Sequence, residues 1–128
     1  MKKRVLFIIS ILLIASTFLF AQLFSGNIIG KWKNPTGEKI MEIYKQNDLY
    51  YGKIVECTDH EVPLGTMILK GFKFVADENE WKGEIYLPKQ GKSYPGTLTL
   101  KDEKTMLIEV SIGFMSRTKE WKRVEKSY

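Results

Sequence analysis

An all-β fold, an antiparallel up-and-down barrel of eight strands, is predicted for this chain of 128 residues from three observations. Apolar and polar residues alternate with a period of two in short runs spaced about ten residues apart. Each run ends at a cluster of Gly, Pro, Asn or Asp, the residues that turn a chain. Beyond the first 21 residues no stretch keeps a helical period over about ten residues. Turns this short favour antiparallel neighbours in sequence order, and such a meander hides its hydrogen-bonding edges best by closing on itself.

The runs are read in order. Residues 28–33 form a first strand, stopped by Asn34-Pro35-Thr36-Gly37, where Pro presets one φ and Gly accepts a positive one. Residues 39–45 form the second, followed by a turn at Gln46-Asn47-Asp48, and residues 49–58, rich in Tyr, Ile and Val, the third. The polar break 59–65 contains Pro63. The fourth strand, residues 66–75, carries Gly71 in its middle, the mark of a bulge or bend. Residues 81–87 alternate most cleanly: Trp81, Gly83, Ile85 and Leu87 share one face, Lys82, Glu84 and Tyr86 the other. In the sixth, residues 93–101, Leu98 and Leu100 face together, and pairing is expected to begin after Pro95-Gly96. Met106, Ile108, Val110 and Ile112 line one face of the seventh, and residues 117–124 form the eighth.

Residues 1–21 read as a secretory signal peptide: Lys2, Lys3 and Arg4, then an uncharged apolar run to Phe20, then Ala21 as a small cleavage residue. The alternative is an uncleaved anchor, since residues 5–24 are about long enough to cross a bilayer. Residues 22–128 are then one domain, exported to the periplasm or beyond. The formal charge of +5 owes three charges to the leader and falls to +2 without it, an ordinary surface that gives no argument for a nucleic-acid partner. The one cysteine, Cys57, can form no internal disulfide and reads as a packed apolar residue.

Several stretches carry a family resemblance in their order: Ile29-Gly30-Lys31-Trp32-Lys33, Tyr50-Tyr51-Gly52-Lys53-Ile54-Val55, Pro63-Leu64-Gly65, Ile68-Leu69-Lys70-Gly71-Phe72, Trp81-Lys82-Gly83-Glu84-Ile85-Tyr86, and the closing Arg117-Thr118 with Trp121 and Arg123. Together they resemble the exported bacterial family called domain of unknown function 2147. The resemblance implies a lipocalin-like barrel and an exported protein, and brings no activity or catalytic residue with it. Gly30-Lys31-Trp32 also looks like the Gly-x-Trp signature of lipocalin-type barrels, in which the Trp plugs one end beneath a basic residue of the last strand. Trp32 and Arg123 are the expected plug.

On the last strand Arg117, Lys119, Trp121 and Arg123 share a face. A buried guanidinium is expensive unless paired, by a plug, by a carboxylate such as Glu42, or by an anionic ligand. The candidate ligand-binding residues are Arg117, Trp121, Tyr51 and Tyr86, the tyrosines offering an apolar body and a polar tip. The competing reading leaves Arg117 and Lys119 in water at the rim. Asp59-His60-Glu61 holds the only His, and adjacent residues rarely converge on one metal, so no metal or other cofactor is expected. No catalytic constellation rises above chance. The expected function is therefore non-enzymatic binding of a small apolar or amphipathic ligand, anionic in one form. The alternative is a structural or interaction module of the cell envelope that binds a protein or glycan, with membrane contact only through the N-terminal segment.

Overall fold

A computed structural model describes residues 26–125. Within them eight strands close into an antiparallel barrel in sequence order, each hydrogen-bonded to its chain neighbours and the last to the first. The strands are β1 (Gly30–Lys33), β2 (Lys39–Gln46), β3 (Leu49–Cys57), β4 (Met67–Val75), β5 (Glu80–Leu87), β6 (Lys92–Asp102), β7 (Thr105–Ile112) and β8 (Met115–Arg123). No helix occurs among the described residues. The expected leader, residues 1–21, lies outside them.

The predicted runs and the strands coincide to within a few residues, because turn chemistry sets the boundaries. Asn47 and Asp48 both take positive φ (52° and 66°), the geometry of a two-residue hairpin whose twist matches its strands. The fourth strand carries its expected irregularity: Gly71 sits at φ +61° and the β4–β5 register slips between Lys70 and Lys73. Leu69 and Phe72 are both buried as a result, which a strict two-residue alternation would forbid.

The eighth strand starts at Met115, two residues before expectation, because the β7–β8 turn closes in two residues, and two further boundaries differ. The first strand starts at Gly30 and not at Ile28, because residues 27–29 give their carbonyls to side chains and not to a neighbouring strand. Pairing of β6 with β5 begins at Lys92 and runs through Pro95, which faces Glu84. The β6–β7 ladder starts only at Gly96, so the missing Pro95 N–H is asked for nothing there.

The alternation of a barrel puts every second side chain inside. Met41 and Ile43 of β2, Ile54 of β3, Leu69 and Phe72 of β4, Trp81 and Ile85 of β5, Leu98 of β6, and Met106, Ile108 and Val110 of β7 make one core with Trp32 and Trp121. Trp81 packs against Phe74 at 4.9 Å between ring centroids and edge-on to Tyr50 at 6.4 Å. Its buried Nε1 has no acceptor among the described residues, a penalty of about 1–3 kcal/mol that this aromatic packing must offset.

The two ends differ. At one end lie the β2–β3, β4–β5 and β6–β7 turns and the chain leading into β1. Trp32 is fully buried there and donates from Nε1 to the Ile28 carbonyl at 2.9 Å. The Arg123 guanidinium lies 4.3 Å from the Trp32 ring centroid. It donates from Nε to Glu103 O (2.8 Å), from Nη1 to Ile29 O (2.9 Å) and from Nη2 to Asn27 O. Burial lowers the Arg123 pKa, with no carboxylate in salt-bridge contact among the described residues; its partners there are carbonyls. Glu42, weighed as a partner, lies on the outer face between inward Met41 and Ile43.

Trp32→Ala is expected to destabilise the barrel by about 3–5 kcal/mol in denaturant unfolding, through lost burial and the cavity left behind; a change below about 1 kcal/mol would remove Trp32 from the plug. Arg123→Lys keeps the charge and loses the planar fork. It should fall well short of wild-type stability, and an unchanged unfolding midpoint would show that charge alone suffices.

Candidate functional site

The other end is open. The turns 34–38, 58–66, 88–91 and 113–114 ring it, and beneath them lies a cavity of about 880 Å³. Its apolar wall is built from Ile54, Val62, Ile68, Ile85, Leu87, Ile108, Val110 and Ile112, with Trp121 from the last strand. The cavity follows from side-chain size. The large core residues Trp32, Phe72, Trp81 and Met106 fill the plugged half, while the open half is lined largely by aliphatic side chains too short to meet across it.

β1 shapes the mouth by being short. Its four residues pair with β8 only at Trp32–Arg123 and Lys33–Lys122. Beyond Lys33 the chain turns away, so residues 115–121 of β8 have no partner on that side. Asn34, Pro35 and Thr36 border the cavity there, opposite Thr118, Lys119 and Glu120.

Register fixes where the last strand's cations point. Arg117 is the cross-strand partner of Val110, and Lys119 of Ile108. Val110 and Ile108 are buried inside, and cross-strand partners share a face. Arg117 and Lys119 therefore lie on the cavity side, both bordering it and both solvent-exposed at the rim. Neither is within salt-bridge distance of a carboxylate among the described residues. Glu120, beside them in sequence, is engaged by Lys101 at 3.3 Å and Lys122 at 3.9 Å.

Of the four candidate binding residues, three border the cavity: Arg117, Trp121 and Tyr86. Tyr86 does so from the edge, since its ring lies 5.1 Å from Lys70 Nζ, an exposed residue outside the barrel. Tyr51 is elsewhere. It pairs with Tyr44 next to the inward pair Ile43–Gly52, which turns it outward, and it stacks on Tyr44 at 5.9 Å. Both faces of that strand read as apolar, so alternation alone could not orient it. Sequence reasoning passed over Lys39 and Lys89 at the mouth and weighed Glu61 only beside His60 as a metal ligand, since the segments that bring the three together are far apart in the chain.

Those residues form a braced cluster on the β3–β4 loop. The Cys57 thiol donates to Asp59 Oδ1 at 2.8 Å, and Asp59 Oδ1 also accepts from the Glu61 N–H at 3.0 Å. Lys39 Nζ lies 3.5 Å from Asp59 and 2.9 Å from Glu61, and Lys89 reaches Glu61 at 3.3 Å. The thiol bond, then the Glu61 amide, hold the Asp59 pKa far below the usual carboxylate range. Lys39 and Lys89 lower that of Glu61, and hydrogen bonding to Asp59 raises that of Glu38. The carboxylates of Asp59 and Glu61 are thus engaged by the loop's own groups and by Lys39 of β2 and Lys89 of the β5–β6 turn. No group of three His, Cys, Asp or Glu side chains that could hold a metal occurs among the described residues, and exposed His60 is held at φ 54°.

Because Asp59 titrates lower in the folded chain than in the unfolded one, its stabilisation is present above the unfolded carboxylate pKa near 3.9 and is lost as pH falls further. Asp59→Asn, which keeps the acceptor oxygen, should flatten the fall of melting temperature below about pH 4. Parallel acid limbs for the two proteins would rule out this anchoring role.

Residues 30–123 match the family described as "Uncharacterized protein conserved in bacteria (DUF2147)". No curated protein and no solved structure matches the chain. The matched span begins at the first residue of β1 and ends at the last of β8, plug pair included, so the chain belongs to this bacterial family through its whole barrel.

Proposed function

We propose that the barrel is a non-enzymatic binding protein for one small amphiphile, with its apolar chain in the cavity and its anionic head group on Arg117 and Lys119. The observation that carries this reading is the pairing of an apolar cavity of about 880 Å³ with two cations at its mouth that have no carboxylate partner among the described residues. The volume falls within the ~300–1,000 Å³ of small-molecule sites, whose usual build is an apolar wall with a few placed polar groups. A carboxylate or phosphate head could accept from the Arg117 guanidinium in a bidentate pair, with Lys119 adding a second charge. Export through the leader at residues 1–21 belongs to the same proposal and would put the barrel in the envelope, among lipids and their fragments.

Dodecanoate and dodecanol, one charged and one neutral, serve as probes in titration calorimetry. Wild type should bind both. Arg117→Ala with Lys119→Ala should weaken dodecanoate about ten- to a hundredfold, the range of a lost charge-assisted contact, and leave dodecanol within about twofold. Stability should move by no more than about 0.5 kcal/mol, since both side chains are exposed. Equal dodecanoate affinity in the double variant rejects the head-group role. Val110→Trp, which puts an indole into the cavity beside Arg117, should weaken both titrations together; unchanged affinity for both probes would place the ligand somewhere else.

A further inference from the structure

Four large apolar side chains stand exposed among the described residues: Ile29 (42%), Leu64 (66%), Met115 (55%) and Phe114 (100%). Three of them are at the open end. Leu64 is in the β3–β4 loop, and Phe114 and Met115 make the tip of the β7–β8 hairpin. The tip is a two-residue loop, Gly113-Phe114, between the paired Ile112 and Met115. Gly113 takes φ +63° and Phe114 an ordinary negative φ, the pattern of a type II′ turn, whose second position accepts any residue. Turn geometry therefore does not call for an aromatic there, and Phe114 has no wall to pack against.

The chemistry behind the tip has one sign. From Val110 to Lys119 the chain carries no acidic residue, and Arg117 and Lys119 follow the apolar pair by two and four positions from Met115. Lys92, at the start of β6 on the same end, is exposed and also outside any salt bridge among the described residues. Of the acids at this end, Asp59 and Glu61 are met by Lys39 and Lys89, Glu38 shares a hydrogen bond with Asp59, and Glu56 lies on β3, which neighbours neither β7 nor β8. Apolar tips backed by unpartnered cations are complementary to a bilayer whose interior is apolar and whose surface is anionic. The cavity opens on that same end.

We infer that the open end docks on an anionic lipid bilayer, with Phe114 and Met115 entering the headgroup layer, Leu64 touching it across the mouth, and Arg117, Lys119 and Lys92 facing lipid phosphates. This rests on the amphiphile reading of the cavity and extends it: the ligand passes between bilayer and barrel without crossing water, which a poorly soluble chain requires.

The test has a local readout that is independent of the N-terminal segment. An environment-sensitive dye is attached in the full chain at Phe114→Cys or, as a control in the β4–β5 turn at the plugged end, at Asp77→Cys, each in a Cys57→Ala background. Vesicles of phosphatidylcholine with phosphatidylglycerol should shift the emission at position 114 to the blue and leave position 77 unchanged. Pure phosphatidylcholine should require roughly tenfold or more lipid for the same response, as expected when two or three cations lose their anionic partners. An unlabelled chain carrying Leu64→Ser, Phe114→Ser and Met115→Ser should hold cis-parinaric acid in solution within about twofold of wild type, yet deliver it to anionic vesicles at least about tenfold more slowly.

An unchanged spectrum at position 114, an equal response at position 77, or equal transfer rates would overturn the docking. A soluble protein that shifts position 114 where vesicles do not would assign the rim to a protein partner and overturn it too. If cis-parinaric acid and dodecanoate fail to bind while the dye at position 114 still responds to anionic vesicles, the cavity reading falls and the docking stands.

Discussion

The Trp32–Arg123 stack is the interaction on which the rest of the barrel depends. β1 has only four residues and shares two register positions with β8, too few for a ladder to close a sheet securely by itself. Arg123 makes up the difference with side-chain bonds. Its fork reaches the carbonyls of the chain entering β1 and of the β6–β7 turn, while its plane covers the indole. A lysine has neither the plane nor the number of fixed donors to do both. One residue thereby ties the first strand, the last strand and a turn into one end wall.

Sealing one end leaves the other free to differ. With Trp32, Phe72, Trp81 and Met106 packed towards the plug, the core is dense where closure needs it. The mouth is walled by Ile, Val and Leu and by loops tied to one another, as where Lys39 and Lys89 join the Cys57, Asp59 and Glu61 brace. The shortness of β1 contributes again, since it lowers the wall between β2 and β8 and lets residues 34–36 and 118–120 border the cavity. The division of the molecule into a packed base and a hollow mouth thus originates in strand length and side-chain volume together. Arg117 and Lys119 at the mouth, with the β7–β8 tip above them, bring the charge and the exposed apolar surface to the hollow half.

Much of this architecture is legible in the chain because it is written in local rules. Alternation and turn residues placed the strands, and the two-residue period put Arg117, Lys119, Trp121 and Arg123 on one face. Where local rules run out, the reading stops. Tyr51 sits in a strand apolar on both faces, so only its partner Tyr44 and the inward Ile43–Gly52 pair orient it. Ile28 looks like a strand residue, but tertiary hydrogen bonds from Trp32 and Arg123 claim the carbonyls around it. Lys39, Glu61 and Lys89 meet only because three separate turns share one end of the barrel.

The amino-acid order by itself determined the class of fold, the strand sequence and, in strands with one polar face, which residues share the inner face, because those depend on periods of two and on the φ preferences of a few turn residues. Whether the interior is solid or hollow was decided by the tertiary structure alone. A cavity is the difference between the volume enclosed by eight strands and the volume of the side chains directed into it, and that difference depends on stagger and register summed around the whole barrel, which no local stretch of sequence contains.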